Sequence, residues 1–371
     1  MWKRRVNRTG EDIYTASQWE LIWWRFKKHK LAVLGMIILF ILYTIAIFAE
    51  FFCTQDPFKE DKDRVFLPPT KIHFVDENGR FHLVPFVYGL KFERDPITWE
   101  KVYTEDKTKR YSIRLFIRGN RYRLWGIFGS DIHLFGIDEP NILFLFGTDN
   151  LGRDLYSRII MASRISLSVG LIGVFLSFTL GIILGGISGY YSGTVDMAIQ
   201  RIIDFLISLP TLPLWMALAA ALPPDWSAVK VYFGITIILS LFGWCGTART
   251  VRGKVLELRE EDFVTAARLA GASESRIILR HILPSTASLL IVSITMSIPG
   301  MILGETALSF LGLGLRPPVV SWGVLLQQAQ NFRTLVLHPW LLIPSFFVII
   351  TVVAFNFMGD GLRDAMDPYK Y

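Results

Sequence analysis

Arg276 and Arg280 stand one helical turn apart behind the run AARLAGASES, and that spacing fits more than one chemistry. Phe263, Val264, Ala266, Ala267, Leu269 and Ala270 repeat at helical intervals, so Glu261 to Pro284 is predicted to begin as a short amphipathic helix. Gly271 ends it, because glycine takes the left-handed conformation that a helix C-terminus needs. Ser273 fits the N-cap of a second helix carrying Ile277, Ile278, Leu279 and Ile282, closed by Pro284. In a DNA-binding helix-turn-helix, Gly271 would form the turn and the two arginines would sit on the reading helix. In a docking hairpin, Ala266 and Ala267 would let another protein approach the backbone closely. A third reading is an interfacial hairpin with no partner. The flanking sequence has to choose.

Catalytic chemistry has little support. The chain lacks H-E-x-x-H and G-x-S-x-G, and its six histidines, His281 among them, are scattered. Cys53 and Cys245 lie in unlike surroundings, match no metal or redox spacing and read as free thiols. No G-x-x-x-x-G-K-[ST] occurs, so the chain holds no P-loop for ATP. A catalytic site, a metal and a cofactor are all expected to be missing.

The elements around the hairpin belong to a membrane. Of 371 residues, 52% are hydrophobic and 19% charged, wrong for soluble globules. A net charge of +7 invites a nucleic-acid partner, but where the charges sit decides. Eight Lys or Arg fall in residues 1–30, ahead of a charge-free run from Leu31 to Ala49 that makes 31–52 a first span. AIFAEFFCT is a poor cleavage site, so the span is read as retained, with the basic segment 1–30 in the cytoplasm.

Residues 53–146 mix fifteen basic with fourteen acidic side chains and are predicted to form a small β-rich extracytoplasmic insert. Asn78-Gly79 between KIHFV and RFHLV signals a hairpin. Gly119-Asn120 is a second candidate turn, which would set Ile117 opposite Tyr122 and Leu115 opposite Leu124. Gly147, Thr148, Asp149, Gly152, Arg153 and Asp154 follow, a polar turn that taken alone is an ordinary solvated loop.

Five more apolar runs, at about 165–187, 205–224, 231–248, 285–304 and 339–358, complete six transmembrane helices in an otherwise all-α polytopic chain. Gly181, Gly185 and Gly189 form a stripe that lets two membrane helices approach. Asp196, Arg201 and Asp204 mark a connection. Pro210, Pro213 and Pro299 interrupt spans, as helices lining a path or cavity tolerate, and Gly300 with Gly304 is a packing pair. Glu305 ends its span, as a structural hydrogen bond or a contact to a cationic substrate group. Seven basic residues between 249 and 284 place that loop, and by parity both termini, in the cytoplasm. Only about 35 residues separate the flanking spans, too few for a DNA-reading domain, so no nucleic acid is expected.

The chain resembles ABC importer permeases of the dipeptide/oligopeptide/nickel branch over residues 147–368. Five ordered motifs carry the resemblance: GTDNLGRD, TAARLAGAS with HILP, ETALSFLGLG, PPVVSWGVLLQQA and FNFMGDGLRDAMDP. Within the branch, the single span before the insert and the tail look like a C-type subunit. In the family's docking loop, Thr265-Ala266-Ala267, Gly271 and His281-Ile282-Leu283-Pro284 fall in the E-A-A, Gly and I-x-L-P slots. Thr265 and His281 depart from the general pattern and match the peptide branch. Residues 249–284 would then be the loop that couples to an ATPase, with Phe263, Ala266, Ala267 and Leu269 in contact and Ala272 and Ser273 flanking the turn. The resemblance implies a B-type permease partner, two ATPases carrying ATP and Mg, an extracytoplasmic solute-binding protein and surrounding lipid. Peptides lead as substrate, ahead of nickel chelates or oligosaccharides; a membrane enzyme or stand-alone channel is the reading from another class.

Overall fold

The computed structural model describes residues 17–94, 96, 101–138 and 142–367. The basic residues Lys3, Arg4, Arg5 and Arg8 and the tail from Pro368 lie outside the described residues.

Ser17 opens helix α1 (Gln18–Lys28) with a reciprocal cap: its hydroxyl accepts the Glu20 N–H and the Glu20 carboxylate accepts the Ser17 N–H. Helix α2 (Lys30–Ile47) has 18 residues, about 27 Å of rise. The insert follows as two antiparallel sheets: β1 (His73–Val75), β2 (Phe81–Arg94) and β3 (Lys101–Ser112), then β4 (Arg114–Leu124) with β5 (Phe128–Gly136). Gly79, at φ +74°, turns β1 into β2 as the Asn-Gly signal requires.

Gly119-Asn120 is not a turn. Both residues lie within β4, where the register with β5 slips between Arg118 and Tyr122, and Ile117 faces His133 while Leu124 faces Phe128. Gly119 has no room for a side chain there, since a Cβ would stand 2.9 Å from the His133 ring. The chain reverses instead at Trp125–Ile127.

Helix α3 (Leu155–Tyr191) has 37 residues, about 55 Å, and outruns a bilayer core of about 30 Å at its ends. Asp196, Arg201 and Asp204 lie on helix α4 (Gly193–Ser208), not on a loose connection. Helix α5 (Thr211–Ala220) leaves α4 at 88°, with Pro210 as its N-cap and Pro213 in its exposed first turn. The apolar run at 205–224 is therefore a bent pair. The described chain has five helices long and apolar enough to cross a membrane, or six if that pair counts as one span.

Helix α6 (Ala228–Leu258) packs along α3. The glycine stripe makes this possible: a Cβ on Gly181 would meet the Trp244 carbonyl at 2.9 Å, and one on Gly189 the Arg252 carbonyl at 2.8 Å. Helix α7 (Asp262–Leu269), helix α8 (Ala287–Phe310), the short α9 (Trp322–Leu326) and helix α10 (Ile343–Met366) complete the chain. Helix α8 runs five residues past Glu305, and α10 continues through the Gly-Asp-Gly of the tail. The apolar core lies between α2, α3, α6, α8 and α10, around Ile159, Leu239, Ile302 and Trp322.

Candidate functional site

The helices place three polar or exposed constellations in different parts of the fold. At one end, residues 259–286 form a compact platform. The C-terminus of α7 closes with paired bonds, Gly271 N–H to the Arg268 carbonyl and Ala272 N–H to that of Ala267. That geometry requires the φ of +77° at Gly271. Ser273 occupies the N-cap position of the next segment without a side-chain cap bond. One α-turn, Glu274–Arg276, then widens into a π-helical stretch, Ile277–Ile282. Pro284 does not close this segment. It sits in the first turn of Leu283–Ser285, and the break before α8 falls at Thr286.

The platform has two faces. Val264, Ile277 and Ile282 are fully buried against Val251 and Val255 of α6, with Ala267 and Ala272 packed on the same cluster. Phe263, Leu269 and Leu279 point outward, 42%, 85% and 65% exposed, beside exposed Thr265 and Ala266. Ala267 is thus half-buried against the base, because a helix of eight residues presents only one stripe to each side. Half-buried His281 and exposed Arg268, Arg276 and Arg280 rim the platform.

This base is tied to the membrane helices. The Arg259 guanidinium donates to the carbonyls of Gly189 and Tyr190, both at 3.3 Å, and to the Ser192 hydroxyl. A cation there complements the C-terminus of α3. The Tyr191 hydroxyl donates to the Glu274 carboxylate at 2.6 Å, and Arg252 pairs with Asp196 at 2.5 Å.

Beside the platform opens a cavity of about 920 Å³. Thr247, Thr250 and Lys254 of α6, Ser293 and Ser297 of α8 and Arg363 of α10 line it. These residues were missed by apolar periodicity. The signal was present as hydroxyls recurring at three- or four-residue intervals within apolar helices, which puts them on one face.

At the opposite end, the polar turn is buried. Asp149 is fully enclosed; its carboxylate accepts the Leu151 and Arg153 N–H groups and pairs with Arg153 at 2.8 Å and Arg158 at 3.4 Å. The Thr148 hydroxyl bonds the Leu67 N–H and the Arg64 carbonyl, and Trp340 donates to the Thr148 carbonyl. Gly147 and Gly152, both at positive φ, touch backbone of residues 61–69, leaving no room for a Cβ. Asp154 caps α3, accepting from the Ser157 N–H and the Thr54 hydroxyl, while its Oδ1 is buried with no partner among the described residues. Burial pushes its carboxyl up to about 6. The turn is a knot joining the approach to the insert, the start of α3 and the segment before α10, and not a solvated loop.

Glu305 is fully buried within α8, accepting from Ser309 at 2.7 Å and Ser166 at 3.5 Å. Trp322 N–H in turn bonds Ser166. Glu305 therefore takes the structural role and does not face the cavity. Pro299 is buried, Gly304 packs against Leu239 and Trp215, but Gly300 is exposed with open space beside it, so the two glycines do not act as a pair.

The fold is that of a polytopic helical protein with an exposed apolar platform beside a hydroxyl-lined cavity. Residues 179–369 match the family of binding-protein-dependent transport system inner membrane components, and 17–69 match the N-terminal TM domain of oligopeptide transport permease C. The chain belongs to this family of ABC-importer permeases: a multi-pass inner membrane protein, working in a transporter complex and carrying no cofactor itself. It is 44% identical to the oligopeptide transport system permease protein OppC of Haemophilus influenzae, covering 60% of this chain and 70% of that one. The dipeptide permease DppC of Bacillus subtilis is 40% identical over 62% of this chain and 70% of its own length. The glutathione permease GsiD of Escherichia coli is 40% identical over 62% of this chain and 73% of its own. A chain of the methionine transporter MetNI, inward facing, aligns with 56% of this chain and 95% of its own at a TM-score of 0.44 and 16% identity.

Proposed function

We propose that this chain is the C-type half of a peptide-importing permease, paired with a different B-type subunit. Two ATPases bind on the platform side, which is cytoplasmic together with both termini, and a solute-binding protein delivers peptide on the insert side. The relatives named for oligopeptides, dipeptides and glutathione support a peptide substrate.

One observation carries the coupling role. Phe263, Leu269 and Leu279 stand exposed on a base whose Val264, Ile277 and Ile282 are welded to α6, while Arg259 clasps α3. A push on the exposed face is transmitted to α6, which lines the cavity, and to α3 packed along it, as rigid-body alternating access requires. The hydroxyls of Thr247, Thr250, Ser293 and Ser297 suit the hydrogen-bonding groups of a peptide backbone, which need partners once water is stripped. The elbow at Pro210 is a candidate moving part of the path.

The direct test is affinity capture of tagged protein from detergent-solubilised membranes, wild type beside Gly271→Pro, followed by peptide uptake in intact cells. Wild type should bring down a second permease and ATPases, and the variant should lose the ATPases while staying in the membrane. Capture of the chain alone, under conditions that preserve a known importer, would sink the reading.

A further inference from the structure

The β4–β5 hairpin of the insert carries an apolar tip that the fold does not cover. Ile127 and Phe128 are 74% and 60% exposed, with exposed Trp125 beside them. Trp125 holds a φ of +53°, a conformation a bulky residue adopts only when its surroundings impose it. The hairpin turn imposes it: Gly126 follows at φ +76° and the Ile127 N–H bonds the Leu124 carbonyl at 3.0 Å, and the turn so formed sets the indole against the end of α2. The Trp125 Nε1–H donates to the Ile47 carbonyl at 2.7 Å, and its ring lies 5.7 Å from that of Phe48. Phe116 of the same hairpin lies 6.3 Å from Phe51. The hairpin tip is thus fastened to the last turn of the first membrane helix, at the level where its apolar run stops.

We propose that this tip docks into the bilayer leaflet at the end of α2, making the hairpin a second membrane anchor for the insert. Continuity argues for lipid as the occupant: exposed Ile47 and Phe48, at the end of α2 and just past it, run directly into Trp125, Ile127 and Phe128, so one apolar surface spans both elements. A tryptophan at that boundary has its ring in the interface and its N–H satisfied, the arrangement that membrane-interface belts favour. Charge argues the same way. Arg118, Arg121 and Arg123 are exposed along β4 behind the tip, placed to meet lipid phosphates as the apolar side chains enter the leaflet. Anchoring would hold the insert against the membrane at a fixed height, whatever solute the transporter carries.

The test uses the full chain reconstituted into phosphatidylethanolamine/phosphatidylglycerol vesicles. Ile127→Cys, Phe128→Cys and, as an aqueous reference in the polar β1–β2 turn, Asn78→Cys each receive a nitroxide label; native Cys53 and Cys245 are buried. Collision with oxygen, which concentrates in lipid, is compared with collision with a water-soluble nickel chelate. At 127 and 128 the nickel signal should be several-fold lower than at 78 and the oxygen signal several-fold higher. Nickel access equal to that at 78 would show a tip in water and overturn the proposal. Protection from both reagents would show a tip covered by protein and overturn it equally. Adding Trp125→Ala should raise nickel access at 127; no change would remove Trp125 from the anchoring role.

Discussion

Gly185 and Ala248 meet with no side chain between them: a Cβ on Gly185 would stand 2.5 Å from the Ala248 carbonyl oxygen. Helix α3 and helix α6 are therefore in backbone contact where the cavity and the platform join. Gly185→Ala is predicted to lower stability by about 1–3 kcal/mol, the usual cost of forcing a methyl into a packed contact. Gly253→Ala, where a Cβ meets nothing within 4 Å, is the matched control and should be neutral or slightly stabilising. Thermal unfolding in detergent checks both. Equal shifts for the pair would contradict the close approach.

The two faces of the platform predict two phenotypes. Leu269→Glu should leave unfolding unchanged, since the side chain is 85% exposed, yet reduce ATPase capture and uptake. Ala267→Arg should instead destabilise the platform, because Ala267 packs on the buried cluster of Val264 and Ile277. Limited proteolysis of the 259–286 segment separates the cases. Rapid cleavage in Leu269→Glu, or normal resistance in Ala267→Arg, would reverse the assignment of faces.

Gly271→Ala keeps the turn's space, since nothing lies within 4 Å, but puts a Cβ on a backbone at φ +77°. The cost is about 1–2 kcal/mol, confined to the turn. ATPase capture should weaken, and Gly271→Asn, which tolerates this conformation better, should recover part of it. Capture that is equally poor in both variants would point to lost side-chain space rather than backbone strain.

Asp154 predicts a pH dependence. Burial disfavours its charge and pushes its carboxyl up to about 6 in the fold, from a reference value of 3.8. Between those values the folded chain binds more protons than the unfolded one. Its contribution is therefore fully present below the lower value and is lost as pH rises through the upper one. A shift of this size corresponds to roughly 3 kcal/mol. Asp154→Asn keeps a good helix cap and should flatten the stability profile across that window. A profile as steep as wild type would assign the pH dependence elsewhere.

The cavity predicts a transport defect without an assembly defect. Ser293→Leu and Ser297→Leu fill polar wall with apolar bulk and should cut peptide uptake several-fold while ATPases still co-purify. Undiminished uptake in the double variant would take this wall off the path.

Much of this protein was legible in its residues because membranes and docking loops impose simple patterns. A charge-free run marks hydrocarbon, a basic loop marks its end, and the Asn78-Gly79 pair marks a turn, each set by local chemistry. The platform's helix, glycine and second segment were readable for the same reason. Helix ends were not, since backbone hydrogen bonding continues past the bilayer and carries α3 and α10 beyond their apolar runs. Gly119-Asn120 misled because its glycine answers to the His133 ring across the sheet, not to a reversal of the chain.

The sequence by itself determined that the chain crosses a membrane repeatedly, carries a β insert and presents a helix–glycine–helix loop. Only the tertiary structure decided which side of that loop is free, that Asp149 is buried against Arg158, that Glu305 is sealed among serines and that the β4–β5 tip rests on α2. The reason is physical. Span, turn and cap preferences act over a few residues and are written locally, whereas burial of a charge or exposure of a leucine depends on what distant segments bring beside it.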